Sequence, residues 1–262
     1  MSTGSMKNLS VLITRPEPGA ARFAEAVRGL GIKPIIAPML QIRERLKVAS
    51  PTEFRLENTH AIIFVSVPAV EYGLPQLRHL DLASRKVFAV GTATAAAIDQ
   101  YLTGMASVKV RVPDAGFNSE SMLEMPELRA SNLGSTNVLI VRGVGGRETL
   151  AEELRERGAN VAYLEVYERV STKLRITEIL ADAGVALPSI GVVTSVESFE
   201  QLSECIKREG LNRLFEMPIL VSGARIAREA ARLGFTNPPQ IADNPTQEHL
   251  IASLKHWALE QL

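Results

Sequence analysis

Ser10-Val-Leu-Ile-Thr-Arg15 returns as Asn137-Val-Leu-Ile-Val-Arg142, and the pairing of these two stretches decides the fold. Each is a short apolar, β-branched run that leads toward an amphipathic segment stopped by a glycine, Gly31 in one case and Gly158 in the other. Three further echoes follow in the same order. Phe64-Val-Ser66 before Val-Pro-Ala-Val70 matches Val193-Thr-Ser195 before Val-Glu-Ser-Phe199. Phe88-Ala-Val-Gly91 with Thr-Ala-Thr94 matches Ile219-Leu-Val-Ser222 with Gly-Ala-Arg225, and Val112-Pro-Asp114 matches Ile241-Ala-Asp243. The spacings Val11 to Val138, Ser66 to Ser195, Gly91 to Ser222 and Asp114 to Asp243 are 127, 129, 131 and 129 residues. Four segments in one order at nearly one spacing imply two related α/β halves, with a ligand's natural place between them.

Outward from these stretches, strand-like runs fall at 9–14, 33–37, 60–65, 86–90, 108–112, 137–141, 160–164, 189–194, 218–221 and 239–242. Near-continuous apolar runs of this length suit parallel strands covered on both faces. Helical patterns lie between most of them. Phe23, Val27 and Leu30 form one stripe, and Leu150 with Leu154 forms another, beside a Glu153–Arg157 pair at i,i+4. Alternating strand and helix implies βαβ units and two doubly wound parallel-sheet domains. Two polar stretches, 41–59 and 168–187, break the alternation and are the places for the chain to change domains. The halves therefore fold either in tandem, with a boundary near Ala130, or by exchange, with crossings near residues 40 and 168.

Composition narrows the function. With 29 basic and 29 acidic residues in 262, no global field points to nucleic acid, so an acidic ligand needs a local site. The single Cys205, in a helical pattern from Glu197 to Lys207, fits a buried small hydrophobe in a reducing cytoplasm. No run is long enough for a membrane span, and residues 1–6 read as a leader without signal-peptide order. His60, His79, His249 and His256 lie apart from one another and from Cys205, without metal-ligand spacing.

In open parallel sheets, ligands bind beyond the carboxyl ends of the strands. The residues there are Thr14, Arg15, Ser66, Thr92, Thr94, Thr194, Ser195 and Ser222, together with Arg142-Gly-Val-Gly-Gly-Arg147. Small, hydroxyl-bearing and glycine residues allow a backbone to approach oxygen anions closely. Gly143, Gly145 and Gly146 can expose several N–H donors between Arg142 and Arg147. The competing account is a positive-φ turn with solvated arginines, and plain helix N-capping for each Ser or Thr. The run lacks both the dinucleotide and the Walker spacing, and no Gly-x-Ser-x-Gly elbow or nucleophile–His pair is present.

At these residues the chain resembles the uroporphyrinogen-III synthases. The resemblance runs from Val11 to Leu254 through Ile13-Thr-Arg-Pro16, Phe88-Ala-Val-Gly91 with Thr94-Ala95, and Pro113 followed by Asn118-Ser-Glu120. It continues in Val141-Arg-Gly-Val-Gly-Gly-Arg-Glu148, Arg157-Gly-Ala159, Tyr167-Glu-Arg169, Val193-Thr-Ser195, Val221-Ser222 and Ala242-Asp-Asn244. It implies the exchanged arrangement: residues 1–39 with 171–262 as one domain and 40–170 as the other. Two extended crossings would then form a hinge over a cleft that holds the active site. It also implies a monomeric, cytoplasmic enzyme without a cofactor. The substrate is hydroxymethylbilane, supplied by the upstream synthase and closed with loss of water and inversion of ring D through a spiro intermediate. Ser119 joins the substrate-binding candidates by its place in the motif. Tyr167, the tyrosine of the Tyr-x-Arg motif, becomes the candidate for chemistry, since a phenol O–H can donate to a leaving hydroxyl. Some members of the family carry paired threonines where this chain has Arg225 and Ile226, so Ser222 or the backbone serves there instead. The rival readings are a non-catalytic two-domain binder of an anionic small molecule and a nucleotide-sugar transferase using Arg142 to Arg147, the latter without an acidic metal-binding pair.

Overall fold

The computed structural model describes residues 6–45, 54–103, 108–114, 118–243 and 246–262. Most of the leader expected over residues 1–6, the middle of the 41–59 stretch and residue 244 of the last motif lie outside these. Eleven strands run along the described chain: β1 Ser10–Ile13, β2 Lys33–Ile36, β3 Leu40–Glu44, β4 Ala61–Phe64, β5 Lys86–Ala89, β6 Val110–Arg111, β7 Asn137–Gly143, β8 Asn160–Ser171, β9 Ile190–Val193, β10 Ile219–Val221 and β11 Gln240–Ile241.

The chain divides into two compact units, one from residues up to Gln41 together with Val170–Leu262, the other Ile42–Arg169. The sheet of the first unit runs in the order β11-β10-β9-β1-β2, with every neighbour parallel. The other sheet runs β3-β8-β7-β4-β5-β6, parallel from β8 to β6. Side by side, β2-β1-β9-β10-β11 and β8-β7-β4-β5-β6 are the same arrangement. Each joins two strands from one part of the chain to three from the other.

Strand alternation builds the layers. In β1, Leu12 packs into one apolar core with Phe199, Leu202 and Ile219, while Val11 and Ile13 point to another with Phe23, Val27 and Leu254. In β4, Ile62 and Phe64 face a core with Val70 and Leu74, and Ala61 and Ile63 face one with Leu150 and Leu154. Successive strand side chains leave opposite faces of a sheet, so an unbroken apolar run feeds two cores at once. Burying each Leu, Ile or Phe contributes about 1.5–3 kcal/mol, so the two faces of one strand together outweigh its intrinsic β propensity. Both units are thus three-layer α/β structures, as the periodicity predicts.

The helices close these layers where the sequence signals allow. Gly19–Gly29 buries Phe23 and Val27 and is followed by Gly31 at φ +77°. Val196–Glu209 begins on Ser195, whose hydroxyl accepts the Ser198 N–H, and ends at Gly210 at φ +67°. Cys205 is buried on that helix with a free thiol, and burial pushes it upward from its ordinary pKa. No helix among the described residues is long and apolar enough to cross a membrane.

Two elements depart from the strand expectations. The first, β3, lies in a stretch that the apolar pattern leaves unassigned. It is an edge strand on which Leu40 is buried and Ile42 half-buried, and its polar partners point outward. Thr172 donates to Met39 O and Arg45 to Val166 O, so the pairing counts in opposite directions and β3 runs antiparallel to β8. Arg43 and Arg45 reach Glu168 and Glu165 across the pair at 2.7 and 3.1 Å. The second departure is β8 itself, which continues to Ser171 instead of ending near 164 because those charged residues occupy its partly solvated positions.

Candidate functional site

Parallel strands bring their carboxyl ends to one edge of each sheet. In the first unit, β10, β9 and β1 are adjacent, which gathers Ser222, Thr194, Ser195, Thr14 and Arg15 at one edge. Thr14 is fully buried there, and its hydroxyl donates to Val192 O at 2.9 Å. It fastens β1 to β9. Ser222 donates to Thr194 O at 3.3 Å, and Ser195 caps its helix and bonds Ser198 Oγ at 2.9 Å. Arg15 is half-buried over the Phe23 ring; burial lowers its pKa, and the neighbouring Arg22 adds to that effect. Replacing Thr14 by Val removes one buried donor and is expected to cost about 1 kcal/mol. Turnover should stay within about twofold of wild type; a melting curve and a rate assay on the same sample check both, and a large rate loss at unchanged stability would put Thr14 in the site.

In the second unit the corresponding edge carries Ser66 after β4, Thr92 and Thr94 after β5, and Gly143 to Arg147 after β7, with Tyr167 in the neighbouring β8. Thr92 is exposed at its helix start and Thr94 is buried. A pocket of about 350 Å³ opens at this edge, lined by Ser119, Arg142, Gly143, Gly145, Gly146, Arg147, Tyr163, Tyr167 and Arg169 among others.

Tyr167 reaches this pocket through a β-bulge. The β7–β8 register pairs Arg142 with Glu165 and then Gly143 with Tyr167, a shift of one residue. From Ala162 to Val166 burial alternates along β8, and the alternation breaks at Tyr167, which is buried next to Val166. A bulge inserts a residue and re-aims the side chain after it. Here it turns the Tyr167 ring over Gly143, where a Cβ would lie 2.5 Å from Cε2. The phenol oxygen shares a 3.0 Å hydrogen bond with Ser66 Oγ and accepts one from Arg169 Nη2 at 3.2 Å. Ser66 Oγ also accepts the Ala69 N–H as the N-cap of Val67–Gly73, so helix start and phenol are held by one hydroxyl.

The glycine loop is built around Arg142. Gly145 and Gly146 take φ of +70° and +102°, the backbone region that favours glycine, and both are exposed. Arg142 is buried, not solvated. Its Nε donates to Gly143 O at 3.1 Å, Nη2 to Gly145 O and Nη1 to Glu148 Oε1 at 2.9 Å. The guanidinium carbon sits 4.5 Å from the centroid of Tyr163, whose hydroxyl donates to the other oxygen of Glu148. That hydroxyl, with Arg142 adding charge and hydrogen bonding, holds the Glu148 carboxyl below the usual carboxylate range despite partial burial. Burial and the Glu148 carboxylate push Tyr163 upward in turn. Arg147 pairs with Glu120 at 3.5 Å, both largely exposed. Reading from strand ends alone misses Glu148, Tyr163 and Arg169. Glu148 and Arg169 stand inside the quoted motifs, whereas Tyr163 carries only the weak signal of an aromatic on a charged strand.

Two doubly wound, three-layer α/β units, with hydroxyl-bearing residues and a glycine loop at the carboxyl ends of their parallel strands, define the class of protein. The family model described as uroporphyrinogen-III synthase HemD matches residues 21–252. The chain belongs to the uroporphyrinogen-III synthase family, whose reaction converts hydroxymethylbilane to uroporphyrinogen III in tetrapyrrole biosynthesis. It is 30% identical over 255 residues to the uroporphyrinogen-III synthase of Salmonella typhimurium, spanning 94% of this chain and 100% of the other. The Escherichia coli uroporphyrinogen-III synthase is 28% identical over 253 residues, with the same coverage. Among solved structures, uroporphyrinogen-III synthases from Thermus thermophilus (a mutant) and Helicobacter pylori each superpose with a TM-score of 0.58 at 19% identity, over 97% of this chain and 100% of theirs. They share its fold.

Proposed function

We propose that this chain closes hydroxymethylbilane to uroporphyrinogen III with Tyr167 as the proton donor to the departing hydroxyl, at the pocket lined by the ends of β4 and β7 and by β8. The observation that carries the reading is the phenol, held between Ser66 and Arg169 beside a loop of exposed glycines. Because the Arg169 guanidinium donates into the phenol oxygen, the phenol proton is the one left to share with Ser66 or with a bound hydroxyl. Protonation lets the hydroxyl leave as water, and the substituted carbon of ring D then attacks. The difficulty of the reaction is its direction, because simple end-to-end closure gives the type I isomer. Many weak donors along the substrate's carboxylates set that direction. Gly145, Gly146, Arg147 and Ser119 supply them here, and Arg15, Thr194, Ser195 and Ser222 stand at the matching edge of the first unit's sheet. In this reading the working species is a cytoplasmic monomer fed by the upstream synthase, which the single Cys and balanced charge suit.

The test is product identity. Hydroxymethylbilane is generated in situ, this protein is added, and the oxidised uroporphyrins I and III are separated by chromatography. Type III in proportion to added protein is expected. Type I alone from folded protein would leave an anionic small-molecule binder.

A further inference from the structure

We propose that Tyr163 and Glu148 are positioning residues for substrate binding, acting through the buried Arg142 to aim the Gly146 N–H at a substrate carboxylate. The inference rests on the substrate reading of the pocket given above. Its basis is the way the loop is tied down. Arg142 holds the carbonyls of Gly143 and Gly145 on its own side. In a planar trans peptide, C=O and N–H point in opposite directions. The 143–144 peptide is therefore fixed at both ends, since Val144 N–H donates to Tyr167 O at 2.8 Å. The 145–146 peptide has its carbonyl turned to Arg142, which sends the Gly146 N–H away from the guanidinium at an exposed, pocket-lining residue.

Arg142 alone would not hold this geometry, because a long cationic side chain beside exposed glycines has other rotamers. Glu148 and Tyr163 remove that freedom. Glu148 bonds Arg142 with one oxygen and accepts Tyr163 O–H with the other, while the Tyr163 ring lies against the guanidinium. Arg155, on the helix Thr149–Glu156 that follows the loop, faces the same ring at 5.6 Å and adds to the positive surroundings of Glu148. Neither Tyr163 nor Glu148 is needed for proton transfer in this arrangement. Both oxygens of Glu148 are engaged, and the Tyr163 hydroxyl is committed to it.

The consequence is a split between binding and turnover. Tyr163→Phe keeps the ring over Arg142 and deletes one hydrogen bond to a charged group. It should raise KM for hydroxymethylbilane about tenfold, with kcat and the type III fraction close to wild type. Glu148→Gln should raise KM by at least as much, and the double variant no more than Glu148→Gln alone, because both act through Arg142. Tyr167→Phe is assayed beside them. An unchanged KM in both single variants, with only a lower Tm, would reduce the network to packing and overturn the proposal. A fall in kcat at constant KM would overturn it too, by placing these groups in the chemistry. Wild-type turnover in Tyr167→Phe would refute the assignment of the proton donor, and the KM readout of Tyr163→Phe would still decide the loop.

Discussion

Tyr167→Phe is expected to lower turnover by about 10²–10⁴-fold, the usual contribution of a positioned general acid. The magnitude separates catalysis from architecture. Phe keeps the buried ring, its contacts with the surrounding core and its tilted approach to Tyr72 at 6.4 Å. What is lost is the oxygen that joins Ser66 to Arg169. The neutral bond to Ser66 contributes about 1 kcal/mol, and Arg169, itself exposed, recovers most of its bond from water, so the loss in a chain of this size moves Tm by about 2–4 °C. A rate loss of several kcal/mol in barrier beside a stability loss near one is the signature of a group that works in the reaction. If Tyr167 were only an anchor, rate and Tm would fall together and the rate would stay within about tenfold of wild type. Single-turnover rates with hydroxymethylbilane, read against a melting curve, decide between the two. Ser66→Ala supplies the inner comparison. It removes the helix cap and one partner of the phenol but leaves Arg169 in place, so its rate should lie between wild type and Tyr167→Phe.

How far this site could be read beforehand depended on what each residue does locally. The strand cores were legible because a parallel strand with helices on both faces writes a continuous apolar run, as Val11 to Ile13 and Ala61 to Phe64 do. Ser66 and Ser195 were legible as residues after strands, and each proves to be an N-cap with a second bond besides. The strand β3 was hidden because an edge strand with one buried residue, paired through Arg43 and Arg45, looks like any polar connection. Arg142 was legible as a neighbour of the glycines but not in its direction. A burial of this kind depends on Glu148 six residues later and on Tyr163 in the next strand, and no local pattern connects the three. Thr14 shows the converse. A hydroxyl at a strand end satisfies a ligand or a neighbouring carbonyl equally well, and only the packed β9 reveals that Val192 takes it. The bulge at Val166 is the deepest case, because a one-residue register shift leaves no compositional trace yet decides where the Tyr167 phenol points.

Gly143→Ala should damage the enzyme as severely as the loss of the phenol itself, and through the same atom. Gly143 faces the Tyr167 ring across the β7–β8 pair, and an added Cβ would stand 2.5 Å from Cε2, 2.6 Å from Cζ and 3.1 Å from Cδ2. Contacts that short cannot persist, so the ring must move. Its hydroxyl end is fixed by Ser66 and Arg169 and its body is sealed in the core, so any shift that relieves the methyl breaks at least one of those bonds. Overpacking of this kind costs about 1–3 kcal/mol of stability, a fall of several degrees in Tm that leaves the protein folded at assay temperature. Turnover should fall by about 10²-fold or more, since a displaced acid no longer reaches the leaving hydroxyl. The decisive measurement is the double variant. If Gly143 acts only by seating the phenol, Gly143→Ala combined with Tyr167→Phe should turn over no more slowly than Tyr167→Phe alone. Fully additive losses would show instead that Gly143 itself approaches the substrate, and the methyl would then be blocking the ligand and not the tyrosine.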